Sequence, residues 1–163
     1  MASEIGPILE ALYKGERERA EELVDEHRAL DVFEAAALGD DARLEELLQG
    51  EPELARSWSS DGFTALHYAA FFGTPKAIRT LLAHGAEVET PATNEQFAPQ
   101  ARPLHSAVAA GRSENAEALL EAGADPNARQ HGGFTPLMQA EQSGNLDLAE
   151  LLIRHGALAG GGA

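Results

Sequence analysis

The sequence predicts an all-α solenoid of about five stacked helix-turn-helix units in one domain. Three observations carry that expectation. One segment recurs, as TALHYAAFFG at 64–73, RPLHSAVAAG at 102–111 and TPLMQAEQSG at 135–144. A second recurs behind it, as IRTLLAHGAEV at 78–88, AEALLEAGADP at 116–126 and AELLIRHGAL at 149–158. The offset between them is constant: 12 residues separate Gly73 from Gly85, Gly111 from Gly123 and Gly144 from Gly156. In register, Leu66, Leu104 and Leu137 lie 38 and 33 residues apart. A fixed period of this size marks a repeat array, in which each unit hides its apolar side only against its neighbours.

The units follow in order. The first, about 5–29, contains PILEALYKGERERAEELV; Gly15 stands only 24 residues before Gly39, so it has room for two helices but no long loop. Its charged stretch at 15–28 suits an N-terminal cap. In the second, 30–60, Val32 takes the place of Leu66 and Gly39 that of Gly73, a spacing of 34. The third and fourth, 61–99 and 100–132, carry the clearest repeats. The fifth, 133–158, has polar Gln139, Gln142 and Asn145 where a C-terminal cap needs them, and 159–163 reads as a flexible tail.

Inside a unit each position has a physical reading. Thr64 and Thr135 are placed to accept from an orphan helix N–H, and Pro136 is pre-set for the first helical position. Leu66, Ala69 and Ala70 share one helix face, with the alanines small enough to admit a neighbouring helix. Gly73, Gly111 and Gly144 are expected to end the first helix in the left-handed conformation. A second helix follows with an apolar stripe such as Ile78, Leu81 and Leu82, ending at Gly85, Gly123 and Gly156. His84 and His155 stand at those C-termini, where partial positive charge is favoured. ADPNARQHGGF at 124–134 is rich in turn formers and reads as a hairpin-like finger between units.

Composition narrows the function. Apolar residues make up 44% of 163 residues, enough for a core, and there is no cysteine for a disulfide, a thiolate metal site or a cysteine nucleophile. The net charge is −15; residues 1–60 carry 16 acids against 6 bases, and the remainder 11 against 6. Such a chain is not expected to bind nucleic acid or an anionic membrane surface, because both need Lys and Arg to meet phosphate. The field favours a basic partner, or serves solubility. No apolar run is long enough to span a bilayer, and the N-terminal glutamates do not read as a secretory leader. A cytoplasmic protein is expected; the Ala- and Arg-rich, Lys-poor composition hints at a bacterial source.

The quoted segments, together with LLEAGADPNAR at 119–129, resemble the ankyrin repeat over about residues 5–158. The resemblance implies antiparallel helix pairs with projecting fingers, and a concave groove between fingers and inner helices that grips a partner protein. It places Phe63 on a finger, Tyr68 on an inner face, and Phe71 and Phe72 in the variable pair before the helix-ending glycine. Trp58, Phe63, Tyr68, Phe71 and Phe72 are five of the nine aromatics. With Phe134 they are the candidate anchors, Tyr68 the more core-like and Phe72 the more exposed. Glu34, Arg102, Arg129, His131 and Gln142 are the candidates for polar specificity. His67 and His105 are read as helix histidines bridging backbone groups rather than as a metal pair or a base, since Phe33 and Met138 fill the same slot elsewhere.

No catalytic residue, metal ligand or cofactor is expected. The acidic runs ERERAEE at 16–22 and DDARLEE at 40–46 lack the alternation and central glycine of a calcium loop and read as solvated helix faces. The GGF at 132–134 lacks the Lys and Ser/Thr of a phosphate loop. The finger at 89–102 carries five extra residues with Pro91 and Pro99, and is either a partner contact or a tolerated insertion. The chain therefore reads as a monomeric, non-catalytic module that binds a protein partner. The alternatives are a regulatory or inhibitory subunit of an enzyme, and a small enzyme built on the array.

Overall fold

A computed structural model describes residues 5–24 and 29–161. Within them ten α-helices form five antiparallel pairs: α1 Pro7–Tyr13 with α2 Arg17–Val24, α3 Val32–Leu38 with α4 Asp41–Gly50, α5 Ala65–Phe72 with α6 Pro75–Ala83, α7 Pro103–Ala109 with α8 Ser113–Glu121, and α9 Pro136–Gln142 with α10 Leu146–Arg154. The inner helices α1, α3, α5, α7 and α9 pack each on the next; α4, α6, α8 and α10 form a second, outer layer. His27 and part of the charged stretch at 15–28 lie outside the described residues.

The helix starts follow from local chemistry. The side chains of Thr64, Thr135, Thr74 and Asn145 accept from the N–H three residues on, at 3.4, 3.2, 3.1 and 3.1 Å. Pro75, Pro103 and Pro136 occupy first helical positions. Leu66, Leu104 and Leu137 are buried at the same place in successive units, and Val32 takes that place in the second. Each such side chain contributes about 1.5–3 kcal/mol of burial. Ala35, Ala36, Ala69, Ala70, Ala107 and Ala140 are fully buried, which lets the inner helices approach closely.

Five of the six helix-ending glycines are left-handed. Gly85, Gly123 and Gly156 are left-handed, with φ of 93°, 96° and 98°, and so are Gly111 and Gly144. Gly73 is not: its φ is −92°. A methyl placed there would run into the carbonyl oxygen of Ala36 on α3. Glycine is needed at 73 for close approach between units, not for handedness. Between the pairs, the described fingers contain no strand, only an isolated bridge between Trp58 and Thr64.

The ends of the array differ. At the N-terminal end Arg17 donates to the carbonyls of Leu38 and Phe72, 3.0 and 3.1 Å away, and so closes the C-termini of α3 and α5 together. In the last unit Gln142 is exposed on α9 and Asn145 caps α10. Yet α10 also leaves Leu146 and Ile153 bare, so its outer face is not uniformly polar.

Candidate functional site

A groove of about 1190 Å³ runs along the inner helices beneath the fingers. Its floor comes from α5 and α7, its wall from residues 59–63 and 93–98, and Tyr13 of the first pair lies beside it. Side chains from α1, the finger before α5, α5, the finger at 93–98 and α7 therefore reach one cleft, which only the stacking order brings about.

Asp61 organises this cleft. Its Oδ1 accepts from the Tyr68 hydroxyl at 2.6 Å and from Ser59, and its Oδ2 accepts from the Tyr13 hydroxyl at 2.9 Å. Burial pushes the phenols of Tyr68 and Tyr13 well above their ordinary range, so both remain donors. One carboxylate thereby joins α1, the finger before α5, and α5 itself.

The extended finger at 89–102 is tied down rather than loose. Thr93 N donates to Gly62 O at 2.9 Å, and the Asn94 amide to Asp61 O at 2.8 Å. Ala92 N donates to Ala101 O at 2.7 Å, closing the base. At the tip Asn94 Oδ1 accepts from the N–H groups of Gln96 and Phe97 at 3.0 and 2.7 Å, a local turn that fixes the direction of Phe97. Phe97 is 83% exposed and lines the groove. An aromatic ring held in water by a pinned loop is the strongest candidate anchor in the cleft.

Of the residues singled out from the sequence, Phe63, Tyr68, Phe71 and Phe72 do line the groove. Phe63 is half-buried, edge-on to His67 and Tyr68 at 5.7 and 6.2 Å. Tyr68 is core, as expected. Phe72 departs from expectation: it is 8% exposed, with Tyr13 edge-on at 5.3 Å, so it supports the groove from below while Phe71 beside it stays half-buried. Glu34 also departs, being fully buried. Its carboxylate accepts from Asp31 N at 3.1 Å while Asp31 accepts from Glu34 N at 2.8 Å, a reciprocal cap of α3 that leaves it no place on a binding face.

Trp58, Arg102, Arg129, His131, Phe134 and Gln142 lie outside the groove lining. Trp58 and Phe134 are about half exposed, and His131 sits in the turn after Gln130 with its N–H on Pro99 O at 3.0 Å. Arg102 is committed to the scaffold. It meets Glu89 at 3.4 Å and donates to the carbonyls of Arg129 and Gln100 at 2.9 and 3.1 Å. Arg129 donates to Gly133 O at 3.1 Å. Asp61, Tyr13, Asn94 and Phe97 were not singled out; for Phe97 the signal was present, an aromatic side chain in five residues that add no helix.

His67 and His105 bridge backbone groups. Nδ1 of His67 accepts from Thr64 N at 3.2 Å and its Nε2 donates to Ala101 O at 2.9 Å; His105 accepts from Arg102 N at 3.1 Å and donates to Phe134 O at 3.3 Å. Each ring thus joins its helix to the following finger. Burial, before any other cause, pushes both down to about 4, so they are neutral near pH 7 with both nitrogens engaged.

The family profile for ankyrin repeats in three copies matches residues 8–130 and again 103–160. The chain belongs to the ankyrin-repeat family. This ankyrin chain is 31% identical over 114 residues to transient receptor potential cation channel subfamily A member 1 of Homo sapiens, covering 68% of itself and 10% of that protein. It is 41% identical over 101 residues to ankyrin repeat and SOCS box protein 16 of Mus musculus, covering 60% of itself and 22% of the relative. It is 37% identical over 102 residues to NF-kappa-B inhibitor alpha of Sus scrofa, covering 60% of itself and 32% of the relative. The chain thus spans less than a third of the length of these relatives. Ankyrin arrays are protein-interaction modules that use an extended concave surface. Among the described residues no helix is long and apolar enough to cross a membrane.

Proposed function

We propose that this ankyrin chain captures a partner protein in the groove beneath its fingers, without chemistry of its own. Phe97, Phe71 and Phe63 are the apolar anchors on a scaffold that moves little on binding. The observation that carries the reading is Phe97, a fully presented ring whose loop is hydrogen-bonded to the neighbouring finger at Gly62 and Asp61. A few such anchors dominate affinity. Trp58, Phe134, His131 and Gln142 would extend the contact beyond the groove, and the net charge of −15 favours a basic partner surface. The chain acts as a monomer in the cytoplasm, in keeping with its lack of cysteine.

A narrower form is that capture inhibits an enzyme or regulator. It is supported by relatives named as inhibitors, NF-kappa-B inhibitor alpha and, at 46% identity over 67 residues, cyclin-dependent kinase inhibitor 2A of Homo sapiens. The test is cross-linked affinity capture with the wild-type chain, Phe97→Ala and Glu117→Lys in parallel. Glu117 sits on the outer helix α8, away from the groove. A protein retained by wild type and Glu117→Lys but lost by Phe97→Ala is the expected result; equal retention by all three would move the contact off the groove.

A further inference from the structure

The charges of the groove say what a partner should present to it. Asp61 and Glu95 line it, and among the described residues no Lys or Arg does. His67 and His105 also line it, but they are buried and turned to backbone groups. Whatever formal charge the cleft carries is therefore negative, inside a chain of net charge −15. The field concentrates cations there.

Asp61 is fixed for such a cation. Three hydroxyls hold its carboxylate: Tyr68 and Ser59 on Oδ1, Tyr13 on Oδ2. A carboxylate offers about four lone-pair directions, so Oδ2 keeps room for a further donor. Two exposed rings border the same cleft, Tyr13 and Phe97. The Phe97 loop hangs on Asp61 itself, because the Asn94 amide donates to Asp61 O and its oxygen accepts from Phe97 N. A fixed carboxylate beside open aromatic faces suits a planar, donor-only, weakly hydrated cation. Guanidinium has those properties; ammonium, more strongly hydrated, is harder to bring into a partly dry cleft.

We propose, on the reading that the groove is the partner site, that it takes a segment presenting an arginine flanked by apolar side chains. The guanidinium binds Asp61 Oδ2 beside the Tyr13 and Phe97 rings, and the apolar neighbours cover Phe63 and Phe71. Asp61 is then the residue that sets specificity, and the rings supply area.

The test selects a random linear-peptide display library on the full chain, then measures synthetic winners by fluorescence polarisation. Wild type, Asp61→Asn and Phe97→Ala are compared, each winner also being made with citrulline in place of arginine. Expected are arginine-rich winners with apolar flanks, weakened about tenfold by either citrulline or Asp61→Asn. The two changes together should weaken binding no more than about twofold beyond either alone, because they remove one shared contact. A merely structural role for Asp61 would make them additive and would overturn the assignment. The citrulline change is made on the peptide, so it reads the cation even where Asp61→Asn lowers helix content. Lysine-rich winners, or winners sensitive to Phe97→Ala but not to Asp61→Asn, overturn the arginine assignment and leave the groove as the partner site. No winners, or winners indifferent to both substitutions, overturn both.

Discussion

Asn115 on α8 donates its amide to the carbonyl of Ala70 at 3.0 Å, across the boundary between two units. The same amide lies 3.3 and 3.2 Å from the carbonyls of Ala69 and Gly73. It thus closes the C-terminus of α5 at carbonyls other than the Phe72 carbonyl that Arg17 takes. The equivalent positions of α6 and α10 hold Ala77 and Leu148, so the clamp belongs to this junction alone among those three outer helices. Asn115 is 2% exposed. Asn115→Ala would leave buried carbonyls without that donor, at about 1–3 kcal/mol. Urea denaturation should show that loss, with partner capture retained; a change below about 0.5 kcal/mol, the ordinary surface level, would mean that water replaces the amide.

Gly73 and Gly123 end helices by different means and should respond differently to a methyl group. At Gly123 an added Cβ meets nothing within 4 Å, so Gly123→Ala carries only the left-handed backbone penalty, about 1 kcal/mol. At Gly73 the methyl collides with the Ala36 carbonyl and lies 3.0 Å from Ala69, and both are backbone. Gly73→Ala should cost about 3 kcal/mol, at the upper end of overpacking. Denaturation midpoints of the two variants check the order; equal losses would contradict it.

Phe72 and Phe97 should separate stability from binding. Phe72 is buried against Tyr13 and Phe71, with ring centres 5.3 and 4.6 Å away, so Phe72→Ala should lose about 3–5 kcal/mol. Phe97 stands in water, and Phe97→Ala should change stability by less than about 0.5 kcal/mol while abolishing capture. Thermal melts alongside a binding assay decide it. A melting temperature that falls more for Phe97→Ala than for Phe72→Ala would reverse the assignment.

The bridging histidines make stability depend on pH. Each takes its proton near pH 6.5 in the unfolded chain but only near pH 4 in the folded one. Between those values the unfolded chain binds more protons, so stability falls as pH falls, and the loss is complete below about pH 4. Each ring contributes up to about 3 kcal/mol to this total loss. Denaturation of wild type and His105→Gln from pH 7 to pH 4 reads it as a difference, in which carboxylate titration cancels. The variant should show the flatter profile, and parallel profiles would mean that His105 titrates alike in both states.

Much of the array is legible because its signals are local. A threonine that accepts from the N–H three residues on, a proline at a first helical position and a left-handed glycine act within one turn of chain. Such signals place α5, α7 and α9 and their partners directly from the repeats. Glu34 shows the limit. Its charge suggested a binding face, but its role is to complete the Asp31 cap, and burial in the next layer decides which use prevails. Phe97 shows another: the repeat register flagged the finger as longer, while the ties from Thr93 and Asn94 to Gly62 and Asp61 join residues about thirty apart.

By itself, the sequence determined the helical hairpins, their number and order, and the need to stack, since periodicity and capping require nothing beyond neighbouring residues. Tertiary structure decided which side chains face the groove. Phe71 and Phe72 are adjacent, so their directions differ by about 100° around α5. Tyr13, arriving from the first pair, packs on Phe72, which is covered, while Phe71 stays half-buried. Sidedness at such positions is a property of the neighbour, and the neighbour is set by the stack.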